Sequence, residues 1–119
     1  MTDRKAVLVV EDDPASRRLF ATALTLAGFD VREAPNGYEA IHSVERNPPD
    51  LIVLDLLLPG FGGLAVQQEF TERAGTRLIP IVIVTGSTRE LDHLAVAGVL
   101  RKPVDSDALV ETVRQCLEG

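Results

Sequence analysis

The chain carries 119 residues, of which 18 are acidic and 12 basic, for a net charge of −6. One hydrophobic core fits that length, and 45% hydrophobic with 25% charged residues is ordinary for a soluble globular domain. The acidic balance argues against direct contact with nucleic acid or an anionic membrane surface, and the single Cys116 rules out an internal disulfide or Cys-rich zinc site, as suits the cytoplasm.

The first element is the apolar run Ala6 to Val10, cut off by Glu11-Asp12-Asp13. It is too short for a signal peptide, and no stretch approaches the roughly 18 apolar residues of a membrane span. A helical stripe of Leu19, Phe20, Ala23, Leu24 and Ala27 follows, opened by Pro14 and closed by Gly28. Asp30 to Ala34 alternates polar and apolar residues, as an edge strand would. Ala40, Ile41 and Val44 form a second stripe, ended by Asn47-Pro48-Pro49. Leu51 to Leu54 is a continuous apolar strand, and Leu64, Gln67, Gln68 and Phe70 suggest a third helix. Ile81 to Val84 is a further buried strand, since continuous apolar runs mark strands covered on both faces. A fourth helix between Thr85 and Gly98 has room for only about two turns. A weaker strand, Val99 to Arg101, precedes a last helix through Leu109, Val110, Val113, Cys116 and Leu117, which Asp105 or Ser106 is placed to cap.

Five strands alternating with five helices predict an α/β fold, a doubly wound five-stranded parallel sheet with a shortened fourth helix. Of the two common orders, five strands favour the flavodoxin-like 2-1-3-4-5. Ligands of such sheets bind beyond the carboxyl ends of the strands. There the first strand ends in Glu11-Asp12-Asp13, the third in Asp55, the fourth in Thr85 and the fifth in Lys102. Singly, each is an ordinary turn, cap or surface residue; together they converge on one crevice. Like charges about 4 Å apart at an effective dielectric of ~20 repel by about 4 kcal/mol, so either the pKa values of the converging carboxylates rise or a cation binds. Oxygen ligands of this kind suit Mg²⁺, which prefers one or two carboxylates plus a phosphate oxygen. Lys102 and Thr85 add a charge and a donor, so the crevice reads as a place for Mg²⁺ beside a phosphoryl group.

Four motifs carry a family resemblance over essentially the whole chain. They are Val9-Val10-Glu11-Asp12-Asp13-Pro14, then Asp55 within Leu51 to Pro59, then Thr85 after Ile81 to Val84, and finally Lys102-Pro103. In this order they resemble a response-regulator receiver domain of two-component signalling, here a single domain over residues 1–119. The resemblance implies that Asp55 accepts a phosphoryl group from a phosphohistidine on a sensor histidine kinase or histidine phosphotransfer protein. It implies that Glu11, Asp12 and Asp55, with the backbone carbonyl of Leu57, hold Mg²⁺; Asp13 gains no metal role. Thr85 and Lys102 would contact the phosphoryl oxygens, the lysine aimed by a cis bond before Pro103. On this reading the chain is a reversible switch rather than an enzyme, although it promotes its own phosphorylation and dephosphorylation. Its output goes to a downstream protein or to an output domain outside these residues.

Three departures from the family pattern stand out. Val99 replaces the usual aromatic three residues before the lysine, and the Thr85–Lys102 interval is short. Gly62 stands where an acidic residue is usual, in a loop that reads Pro59-Gly60-Phe61-Gly62-Gly63. The first two predict an atypical output face, with the signal passing through a modified surface or through the first helix and the loop after Asp55; Gly62 predicts a more mobile loop. Leu57 has an apolar side chain that cannot position an attacking water, which predicts a longer-lived phosphoryl group. Cys116 reads as a small core residue. His42, His93, Arg17, Arg18, Arg73 and Arg77 read as solvated or partner-facing, and Tyr38 and Phe61 as lone exposed aromatics. Among competing classes, a P-loop nucleotidase lacks its glycine-rich loop and a flavodoxin-like electron carrier its hydroxyl-rich one. A metal-dependent aspartyl phosphatase would need an acid where Leu57 stands. The remaining alternative is a degenerate receiver acting as a phosphorylation-independent docking module.

Overall fold

The structure, a computed structural model, describes residues 4–56, 65, 79–86 and 96–118. Five strands and three helices are defined there: β1 (Ala6–Val10), α1 (Pro14–Leu26), β2 (Asp30–Ala34), α2 (Gly37–Arg46), β3 (Leu51–Asp55), β4 (Ile81–Thr85), β5 (Gly98–Arg101) and α3 (Ser106–Glu118). All pairings are parallel and the order is β2-β1-β3-β4-β5, as expected. The expected third and fourth helices, Leu57, the Pro59–Gly63 loop, Arg73, Arg77 and His93 lie outside the described residues.

Alternate side chains of each central strand enter different cores, which is why these strands read as unbroken apolar runs. Val7 and Val9 pack with Val53, Val82 and Val84 against Phe20 and Leu24 of α1 and Leu109 and Val113 of α3. Leu8 and Val10 pack with Ile52, Leu54 and Ile83 against Ala40, Ile41 and Val44 of α2. The sheet is therefore wound on both faces. All five residues of β3 and of β4 are buried, whereas the edge strand β2 is exposed at Asp30 and Glu33 and the edge strand β5 alternates half-buried with exposed positions.

Local chemistry sets the helix ends. Asp13 caps α1, accepting from the Ser16 backbone N–H at 3.0 Å and the Ser16 hydroxyl at 2.7 Å, and Pro14 opens the first turn. Past the end of α1, Gly28 adopts φ +102°, a conformation glycine reaches without strain. Asn36 caps α2 through the Glu39 N–H at 2.8 Å. Asp105 accepts from the Asp107 N–H at 3.1 Å at the start of α3, the capping role expected for it or for Ser106.

One part of the expected α1 stripe is corrected. Leu19 is 54% exposed and Leu26 84%, while Ala21 is buried beside Phe20 and Leu24. Ala23 and Ala27 are half-buried. The stripe that is buried is Phe20-Ala21-Leu24, and Phe20 and Leu24 pack in the cluster formed with Val7, Val9, Val53, Val82 and Val84.

Candidate functional site

Parallel strands all end on one edge of the sheet, and here four of them deliver polar groups there. Glu11 follows β1, Asp55 ends β3, Thr85 ends β4 and Lys102 follows β5. The ladder does the positioning. Asp55 pairs in register with Val84, the neighbour of Thr85, and Thr85 pairs with Arg101, the neighbour of Lys102. The Lys102 backbone N–H then donates to the Thr85 carbonyl at 2.8 Å, and the Glu11 N–H to Ala34 at 3.1 Å. The Lys102–Pro103 bond is cis.

Glu11, Asp55 and Thr85 are almost wholly buried, at 1%, 3% and 0% exposure, while Asp12 is exposed. Carboxylate oxygens of Glu11, Asp12 and Asp55 lie within 4.8 Å of one another. Lys102 bridges two of them: its Nζ donates to Glu11 Oε1 at 2.8 Å and to Asp55 Oδ2 at 3.0 Å. The second Glu11 oxygen accepts the Asp13 N–H at 3.1 Å.

The electrostatics follow from that geometry. Burial pushes the Glu11 carboxyl above the ordinary range. The Asp55 charge adds to this, and hydrogen bonds from Lys102 and Asp13 only partly oppose it. For Lys102, burial works to lower the pKa, but hydrogen bonds to Glu11 and Asp55 outweigh it and hold the ammonium above its usual value. At the loop tip, Ser16 holds Asp13 below the ordinary carboxylate range. One ammonium thus faces an excess of carboxylate. Three hard oxygen donors, one of them open to solvent, match what Mg²⁺ takes from a protein while keeping several waters.

The structure brings Glu11, Asp12, Asp55 and Lys102 together, and Thr85 stands at the same edge of the sheet. The Asp13 side chain caps α1 through Ser16. Sequence reasoning missed Arg17. It was expected to be solvated or partner-facing, but its Nη1 donates to the Glu11 carbonyl at 2.9 Å and its Nε pairs with Glu33 at 3.3 Å. The available signal was its place one turn after the Asp13 cap, where a long side chain reaches back over the strand end. Arg18 is largely exposed, with a 3.5 Å contact to Glu33, and His42 and Tyr38 are exposed as expected. Cys116 is half-buried and burial pushes its thiol up. Val99 is 37% exposed on β5, in register with Ile83.

Comparison with known proteins agrees with this geometry. Residues 7–114 match the family model of the response regulator receiver domain. The chain is 30% identical over 118 residues to Protein PilH of Pseudomonas aeruginosa, covering 95% of this chain and 98% of that protein. It is 33% identical to the response regulator PleD of Caulobacter vibrioides, covering 91% of this chain but only 25% of that longer protein. A crystal structure of a putative response regulator from Chloroflexus aurantiacus superposes with a TM-score of 0.90 at 27% identity, covering 98% of this chain and all of that one. A five-stranded sheet in the order 2-1-3-4-5, an acidic crevice with a bridging lysine and a family match across nearly the whole length lead to one conclusion: the chain belongs to the response-regulator receiver domains of two-component signalling.

Proposed function

We propose that residues 1–119 form a single receiver that takes a phosphoryl group onto Asp55 from a phosphohistidine on a sensor histidine kinase or histidine phosphotransfer protein. Glu11, Asp12 and Asp55, with the backbone carbonyl of Leu57, hold Mg²⁺; when bound, the ion neutralises charge on the phosphoryl oxygens. An Asp55 oxygen forms the new O–P bond as the N–P bond breaks, and the departing imidazole keeps that electron pair and takes a proton from solvent. Burial at the end of β3 fixes the attacking carboxylate, which suits a reaction governed by positioning and charge rather than by covalent help. Lys102 leaves the carboxylates for a phosphoryl oxygen, and Thr85 donates its hydroxyl hydrogen to another. Water later breaks the acyl phosphate, so the chain serves its own modification and removal.

The supporting observation is the convergence of Glu11, Asp12 and Asp55 within 4.8 Å, with Lys102 reaching two of them. A phosphoryl group adds roughly −1.5 to −2 charges at pH ~7, enough to redraw Lys102 and bias a nearby two-state surface. Because Val99 stands where an aromatic is usual, the signal leaves through α1 and the loop after Asp55. It passes to a downstream protein, or to an output domain in a longer chain, within the cytoplasm.

Intact-mass measurement after incubation with acetyl phosphate and Mg²⁺ tests the reaction. One phosphoryl adduct is expected, lost in Asp55→Asn and in EDTA. No adduct under rapid quench, with no Mg²⁺ binding, points to a docking module instead. Amide exchange with and without a phosphoryl mimic tests the route, and new protection confined to residues 86–101 refutes it.

A further inference from the structure

We infer that Arg17 is a positioning residue for the cation site: its guanidinium, oriented by Glu33, fastens the Glu11 main chain and so keeps the Glu11 and Asp12 carboxylates within reach of Asp55. The inference rests on the reading of this crevice as a Mg²⁺ site.

Strand pairing of β1 ends at Val10, so the Glu11 carbonyl lies beyond the ladder, and a polar group so placed needs a donor from elsewhere. Arg17 supplies it at 2.9 Å. The same guanidinium is aimed by Glu33 of β2 at 3.3 Å, and the Arg17 side chain is only 20% exposed. Its base is fixed too, since the Arg17 N–H donates to the Asp13 carbonyl at 2.9 Å. The loop that carries two of the three carboxylates is therefore closed from α1 to β2 by one planar fork, a task suited to arginine, with its several donors. A lysine ammonium has three donors but no planar fork, so it holds a carbonyl and a carboxylate in a less fixed geometry.

Two effects of Arg17 oppose each other in sign. As a cation near three carboxylates it repels Mg²⁺, but Glu33 neutralises it and solvent screens what remains. As a clamp it preorganises the ligands, and groups that orient metal ligands are commonly worth about 10–100-fold in affinity. Positioning therefore wins, and removing the arginine weakens Mg²⁺ binding although a positive charge is lost.

The test is an amide chemical-shift titration of the full chain with MgCl₂, at a temperature where every variant is folded. Arg17→Met keeps the aliphatic stem and removes both donors and charge; it is expected to raise the Mg²⁺ Kd about tenfold. Arg17→Lys, which keeps the charge and N–H donors but not the planar fork, is expected to recover part of that loss. Unchanged or tighter binding in Arg17→Met overturns the inference while leaving the Mg²⁺ site intact, as does a lowered unfolding temperature with an unaltered Kd. Should Arg17→Met fail to fold, an Arg17→Lys Kd equal to the parent's overturns it equally. A parent chain whose amides do not respond to MgCl₂ refutes the Mg²⁺ reading itself, and this inference with it.

Discussion

Removing Lys102 should expose how much of the fold's stability is tied up in its acidic crevice. The ammonium lies 2.8 Å from Glu11 and 3.0 Å from Asp55, whose side chains are 2% and 4% exposed, while Lys102 itself is 31% exposed. At about 3 Å and an effective dielectric of ~20, each contact is worth roughly 5–6 kcal/mol before desolvation is counted. Burial of the three groups cancels most of that. Breaking a fully buried pair by removing one partner costs about 3–5 kcal/mol, because the remaining charge is left uncompensated. Partial exposure of the lysine moves the figure down, so Lys102→Met should lose about 2–3 kcal/mol in EDTA. That corresponds to a drop of about 1–2 M in the urea midpoint, followed by circular dichroism. Excess Mg²⁺ binds the folded state and relieves the same repulsion, and should narrow the gap from the parent by about 1 kcal/mol. Arg18→Ala is the control, because its guanidinium is 76% exposed beside Glu33 and should cost less than ~0.5 kcal/mol. A Lys102→Met loss below ~0.5 kcal/mol, or a gap indifferent to Mg²⁺, would refute the reasoning.

Other outcomes follow from single features. Leu24 is fully buried and Leu19 54% exposed, so Leu24→Ala should cost about 3 kcal/mol and Leu19→Ala under ~1 kcal/mol in denaturant titrations; similar losses would contradict the assigned α1 face. Gly28 has φ +102° with nothing within 4 Å of a built Cβ. Gly28→Ala should therefore destabilise by about 1–2 kcal/mol through backbone strain alone, and an unchanged midpoint counts against it. Cys116, its thiol pushed up by burial, holds less thiolate than a free cysteine at pH ~8. Alkylation by iodoacetamide should be slower than that of glutathione and should accelerate as the pH rises. Faster alkylation would show a more open α3.

Much of this molecule is legible in one dimension. The unbroken apolar runs at Val7–Val10, Leu51–Leu54 and Ile81–Val84 announce strands covered on both faces, and the polar interruptions of Asp30–Ala34 announce an edge. Pro14, Gly28 and Asn47 punctuate the helices through backbone chemistry that needs no tertiary partner. The polar groups at four strand ends announce a crevice, because parallel strands must all end on one side. These are local properties of the chain, combined with a short list of permitted topologies.

What only the tertiary structure decided is how those groups meet. Lys102 reaches Glu11 across 91 positions of sequence and Asp55 across 47, at distances set by the registers of β1, β3, β4 and β5 together. Leu19 and Leu24 look alike in a helical stripe, yet only Leu24 is covered, by the cluster that α1 forms with the central strands and α3. Arg17 reads as a surface cation until the end of β1 and the edge of β2 are brought beside it, leaving a carbonyl and a carboxylate for one guanidinium to satisfy. Periodicity reports whether a side chain has a face to bury, whereas the partner it finds there is fixed by packing between elements far apart in sequence.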